Sequence, residues 1–204
     1  MKRFKLTLPF KLLLVCALLA FAPQVHALSI TPTTGNLFDT GDSNEPWSRW
    51  EGQPASGGIP GIYTTIEGLL GFDLEEDLLY VSNRDDLSED GKLEENYETT
   101  YEGTSSAANN ATIVHQGGSF VGPIAYLLVV DGAASNPYWY LYNLTVLGWD
   151  GTETLELEGF WEDRRGDISN VRLHGSVGVP EPATMILLGT GLFGLALVRR
   201  KFKK

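Results

Sequence analysis

The chain has 204 residues, 43% of them hydrophobic, with 23 glycines, 10 prolines and a single cysteine. Its net charge of −11 hides an asymmetry: between Leu28 and Val179 six cations face 25 of the 26 acids, a local net of −19, and the other cations sit at the two ends. So acidic a surface repels phosphate backbones and anionic lipid, which excludes nucleic-acid binding and leaves cations or neutral polymers as partners.

The first residues read as an export signal. Lys2, Arg3, Lys5 and Lys11 form a charged region, 12–22 is apolar, and Val25-His26-Ala27 places small residues at both positions that signal peptidase requires. Cleavage after Ala27 would start the mature chain at Leu28. Val15 before Cys16 is too bulky for a lipoprotein site, and Cys16 leaves with the signal. The mature chain then has no thiol, hence no disulfide, cysteine nucleophile or cysteine-bound metal.

From 28 to 178 the length suits one domain with its own core. The opening stretch to Gly61, with Pro32, Pro46, Pro54 and Pro60, reads as irregular or partly stranded. After it, apolar positions recur at strand-like spacing: Ile62 and Ile66, Leu79 and Val81, Ile113, 124–130, 138–147, Leu155 and Leu157, Val171 and Leu173. With no amphipathic helix recognised, the expectation is an all-β antiparallel β-sandwich of about eight strands.

An acidic stretch interrupts this pattern. Asp86, Ser88, Asp90, Gly91 and Glu94 fall at the first, third, fifth, sixth and ninth positions of an EF-hand-type calcium loop, but Tyr97 replaces the bidentate Glu at the twelfth. A solvated turn at Asp90-Gly91 is therefore the favoured reading. Calcium, bound weakly and in the millimolar range, is the one cofactor these residues allow.

Catalysis finds little support. His115 and His174 are the mature chain's two histidines, and Gly117-Gly118-Ser119-Phe120-Val121 lacks the closing glycine of a nucleophile elbow. Among so many acids no glycosidase pair stands out, and Arg165-Gly166-Asp167 is ordinary turn chemistry. An enzyme of unknown class is the last of the alternatives.

Aromatic residues offer a different function. Alternation puts Tyr138, Tyr140 and Tyr142 on one strand face and Trp139 and Leu141 on the other, with Trp139 in the core. Trp149, beside Asp150-Gly151, and Trp161, at a strand end, are the candidates for an exposed platform that stacks on sugars. A carbohydrate-binding module retained in exopolysaccharide is thus the runner-up. Asp150-Gly151 itself predicts a hairpin joining 141–148 to 152–160, with Leu155 and Leu157 inward and Thr154, Glu156 and Glu158 outward.

The chain closes on Gly175 to Pro182 as a linker containing Pro180-Glu181-Pro182, an apolar run at 183–198, and Arg199, Arg200, Lys201, Lys203 and Lys204. Prolines on both sides of Glu181 keep that segment extended, open to a protease. Sixteen helical residues rise about 24 Å, slightly short of a hydrocarbon core of about 30 Å, and the basic end would stay cytoplasmic.

This order of tripeptide, apolar run and basic end resembles the PEP-CTERM signal of Gram-negative surface proteins. The pattern Tyr138-Trp139-Tyr140-Leu141-Tyr142-Asn143-Leu144-Thr145, Trp149 to Leu155, Gly159-Phe160-Trp161 and Ile168 to Val171 is similar to ectodomains of that group. The resemblance implies recognition of Pro180, Glu181 and Pro182 by an exosortase, an inner-membrane-anchored precursor, and a mature form at the cell surface or beyond. It implies no reaction and names no ligand. The domains expected are a signal peptide at 1–27, an acidic ectodomain at 28–178 and a sorting signal at 179–204, in a non-enzymatic surface or matrix protein.

Overall fold

The computed structural model describes residues 27–37, 48–53, 57–71, 73–104, 107–132, 136–162 and 166–178. Its ten strands are β1 (Ala27–Ile30), β2 (Arg49–Gly52), β3 (Leu78–Asn83), β4 (Ser88–Asp90), β5 (Tyr97–Thr104), β6 (Ala107–His115), β7 (Phe120–Asp131), β8 (Trp139–Asn143), β9 (Thr154–Leu157) and β10 (Ile168–Gly178). Among the described residues two α-helices join them, α1 (Ile59–Leu70) and the single turn α2 (Leu144–Leu147).

The strands form two sheets, ordered β1-β9-β6-β5 and β2-β8-β7-β10-β3-β4. Neighbours run antiparallel except β1 and β9, which pair in parallel from Ala27↔Thr154 to Ile30↔Leu157. The architecture is all-β, and that parallel pair corrects the expectation of a wholly antiparallel sandwich.

Between the sheets lies the main core, built from Leu127 and Val129 of β7, Tyr140 and Tyr142 of β8, and Leu155 and Leu157 of β9, among others. The intervening residues of the same strands serve a second core. Leu128, Val130, Trp139 and Leu141 point to the outer face of the six-stranded sheet, where Ile62, Tyr63 and Ile66 of α1 cover them. That sheet is buried on both faces, so 127–130 reads as a continuous apolar run.

Helix α1 overturns the strand expected at Ile62 and Ile66. Ile62, Tyr63 and Ile66 share one helical face and are buried, whereas Thr64 and Thr65 face solvent and bond back to the carbonyls of Pro60 and Gly61. Pro60 sits in the first turn, where its missing N–H is harmless, and Gly71 closes the helix with φ of 75° while its N–H donates to the Glu67 carbonyl at 2.8 Å.

The Asp150-Gly151 hairpin does not form. β8 and β9 lie in different sheets, and α2 and the turn after it carry the chain across. The turn chemistry itself is present: Asp150 Oδ1 accepts from the N–H groups of Thr152 at 2.7 Å and Glu153 at 2.9 Å. Gly151, at φ of 89°, passes so close to the Val121 carbonyl that a Cβ would collide with it. In β9 the expected facing holds, with Leu155 and Leu157 buried and Glu156 exposed.

Candidate functional site

The sorting signal begins where the sandwich ends. β10 is held between β7 and β3 as far as His174, opposite Leu78, the Gly175 N–H still donates to the Asp77 carbonyl at 2.9 Å, and the strand then runs on beside β7 to Gly178, with Val177 level with Val121 and Gly178 with Phe120. The expected linker is therefore corrected: its first four residues, 175–178, are strand. Gly175, at φ of 138°, lies against the Ile124 carbonyl, and Gly178 lies against the Phe120 ring; a Cβ fits at neither. Pro180, Glu181, Pro182, the apolar run at 183–198 and Arg199, Arg200, Lys201, Lys203 and Lys204 lie outside the described residues, as do residues 1–26 of the export signal. Ala27 opens β1, paired with Thr154. No helix among the described residues is long and apolar enough to cross a membrane.

The acidic stretch forms the β3–β4 hairpin and the short 3-10 turn after it. Asp86 and Ser88 do meet: Asp86 Oδ1 accepts from the Ser88 hydroxyl at 2.6 Å and from its N–H at 3.0 Å, and these bonds, the hydroxyl first, hold the Asp86 carboxyl below its usual range. Asp90 instead belongs to β4, level with Val81, and Glu94 opens a separate 3-10 turn, Glu94–Asn96. Among the described residues no three acids or histidines gather as a metal-binding group.

The two candidate platform tryptophans are core residues. Trp149 is 6% and Trp161 3% exposed, and their Nε1 groups donate inward to the carbonyls of Glu153 at 2.8 Å and Pro137 at 2.7 Å. Trp161 packs 5.3 Å from the Tyr140 ring and 5.7 Å from that of Phe160. Burial of an indole outweighs the polarity of a neighbouring turn, and once its N–H finds a carbonyl nothing holds the ring at the surface. The backbone of Trp161, at φ of 55°, lies in the left-handed region, uncommon for a bulky residue. Trp139 is buried as expected, while Tyr138 departs from its expected face and packs against the outer core beside Trp139.

An ion-pair network at the core's edge and a buried histidine escaped the sequence reading. Arg84 of the β3–β4 turn pairs with Asp85 at 2.8 Å and with Asp167, whose own N–H donates to Asp131 Oδ1 at 3.0 Å. Burial opposes the Arg84 charge, but these carboxylates prevail and hold its pKa above the usual value. Asp167 of the Arg-Gly-Asp tripeptide is thus spent inside the fold.

His174 lies wholly buried under α1. Its Nδ1 is 2.8 Å from the Leu74 carbonyl, which makes Nδ1 the donor, and the Tyr63 ring meets it edge-on at 5.4 Å. Burial, with the nearby Arg172 charge in the same direction, lowers its pKa to about 4 against the pull of the Leu74 bond. The ring is neutral at pH 7, and its buried Nε2 has no hydrogen-bond partner among the described residues. It cannot reach a substrate as a base. A histidine flanked by Leu173 and Gly175 in a strand was the only signal in the sequence. His115, nearer the surface, has Nε2 3.2 Å from the Ser119 carbonyl.

Residues 178–201 match the family model of the PEP-CTERM protein-sorting motif. No curated protein and no solved structure matches the chain. The motif means exosortase-dependent sorting of an exported protein that is membrane-anchored before processing.

Proposed function

We propose that this chain, which carries the PEP-CTERM sorting motif, is a non-enzymatic surface or extracellular-matrix protein whose acidic sandwich is the cargo and whose tail is its address. Signal peptidase would remove 1–27, residues 183–198 would hold the precursor in the inner membrane with Arg199 to Lys204 in the cytoplasm, and exosortase would act near Pro180-Glu181-Pro182. The observation that carries this reading is the matched segment starting at Gly178, the last residue of β10. A folded acidic domain runs straight into the sorting segment with no second domain between.

The non-enzymatic part is supported by the state of the histidines. One is buried and neutral under a helix, and the other faces a backbone carbonyl. The sugar-stacking reading loses its two candidate tryptophans to the core.

Glu181→Ala tests the reading in the native host. Signal removal should proceed, and unprocessed chain should accumulate in the inner membrane, seen by cell fractionation and intact mass. Release of that variant at the normal rate would overturn sorting through Pro-Glu-Pro.

A further inference from the structure

We propose that the end of the sandwich from which the sorting segment leaves rests on the membrane surface before processing, with Leu37, Ile124, Val146 and Val177 seated among zwitterionic headgroups. This rests on the reading of 178–201 as an anchoring sorting segment.

Strand register fixes which residues share that end. β10 finishes beside the start of β7, with Gly178 level with Phe120 and Gly175 with Ala125. Tyr126 is level with Asn143, the last residue of β8, so α2 and Val146 follow at the same end. Tyr142 is level with Arg49 at the start of β2, and Leu37 bridges to Arg49. Side-chain bonds close the gaps: the Ile124 N–H donates to Ser176 Oγ at 3.2 Å, and Thr145 Oγ1 accepts from the Ala125 N–H at 2.9 Å and lies 3.1 Å from the Pro123 carbonyl.

Among the described residues five large hydrophobic side chains are exposed, and four are these: Leu37 at 47%, Ile124 at 54%, Val146 at 44% and Val177 at 46%. The fifth, Leu87, sits in the β3–β4 turn at the opposite end, beyond Asn83, which is level with Asn170 near the start of β10. Single exposed hydrophobics need no explanation, but a concentration at the exit of an anchored chain does.

The tether is short. Only residues 179–182 separate Gly178 from Ala183, and five fully extended steps cover at most about 17 Å, while the headgroup zone on each side of a bilayer is itself about 6 Å deep. An apolar run shorter than the hydrocarbon thickness draws the domain closer still. Exposed Glu75 and Glu76 precede β3 at this end, and Glu181 lies in the tether, so anionic headgroups would be repelled and zwitterionic ones accepted.

The test uses the precursor isolated from inner membranes, in a Cys16→Ser background, with Ile124→Cys, Val146→Cys, Leu87→Cys or Leu192→Cys labelled by an environment-sensitive fluorophore. The precursor is placed in phosphatidylcholine–phosphatidylethanolamine vesicles, and circular dichroism verifies each fold. Acyl-chain nitroxides should quench Leu192→Cys, and headgroup nitroxides should quench the labels at 124 and 146 about threefold more than that at 87. If 192 is quenched while 124 and 146 match 87, the surface contact is overturned and the anchor stands. If 192 is not quenched, both fall. Labels at 124 and 146 shielded from aqueous iodide yet untouched by lipid nitroxides would give this end to a second copy of the chain and overturn the proposal.

Discussion

At the scale of single residues, His174 shows how burial converts an ordinary side chain into a pH-dependent weight on stability. The unfolded chain binds its proton near the usual 6.5, the folded chain only near 4. Above pH 6.5 both states are neutral and nothing is lost. As pH falls from 6.5 to 4 the unfolded state gains the proton first, so the fold should lose up to about 3 kcal/mol, with no further loss from this group below 4. The Tyr63 ring and the Leu74 carbonyl lie against the imidazole, and the Arg172 charge opposes its protonation. His174→Leu should cost about 1–3 kcal/mol at pH 7 by stranding the Leu74 carbonyl, and should flatten the loss between pH 6.5 and 5. Urea unfolding of both proteins at those two pH values checks this; parallel slopes would show that His174 titrates normally.

Among the elements, α1 decides whether the six-stranded sheet has one wet face or none. Ile62 and Ile66 are four apart, a spacing that satisfies both a strand, as an even number, and a helix, as one turn. Tyr63 breaks the tie, since adjacent buried residues at 62 and 63 cannot share a strand face but do share a helical one. Ile66→Ala should therefore cost about 2–5 kcal/mol by opening a cavity against the outer core, while Thr65→Ala on the solvent side should stay within about 0.5 kcal/mol. Equal effects in chemical denaturation would refute the helix. Asp150-Gly151 teaches a related lesson. Its side chain caps the turn as turn chemistry demands, yet local bonds cannot say which sheet the next strand joins, and β9 finds β6 and β1 instead of β8.

For the whole molecule, charge is the dominant long-range term. An ectodomain at a net of −19 repels itself, so monovalent salt should raise its melting temperature by screening. Calcium should add to that effect only in the millimolar range, because Asp86 and Ser88 bond to each other while Asp90 and Glu94 belong to separate elements. Thermal unfolding across calcium concentrations, in wild type and Asp86→Ala, distinguishes the two. A micromolar rise abolished by Asp86→Ala would establish a specific site.

The sequence by itself determined what one-dimensional order can encode. A sorting segment is a contiguous string of prolines, apolar residues and cations, and the facing of Leu155, Leu157, Trp139 and Leu141 follows from the two-residue period of a strand. Only the tertiary structure decided where whole surfaces went. Trp149 and Trp161 border turns, and only the second sheet and the carbonyls of Glu153 and Pro137 make them core. Likewise Leu37, Ile124, Val146 and Val177 are scattered along the chain, and strand pairing, an isolated bridge and the helix after β8 bring them to the end where the sorting segment leaves. Adjacency in space comes from pairing between distant strands, and a periodicity read along one strand has no term for it.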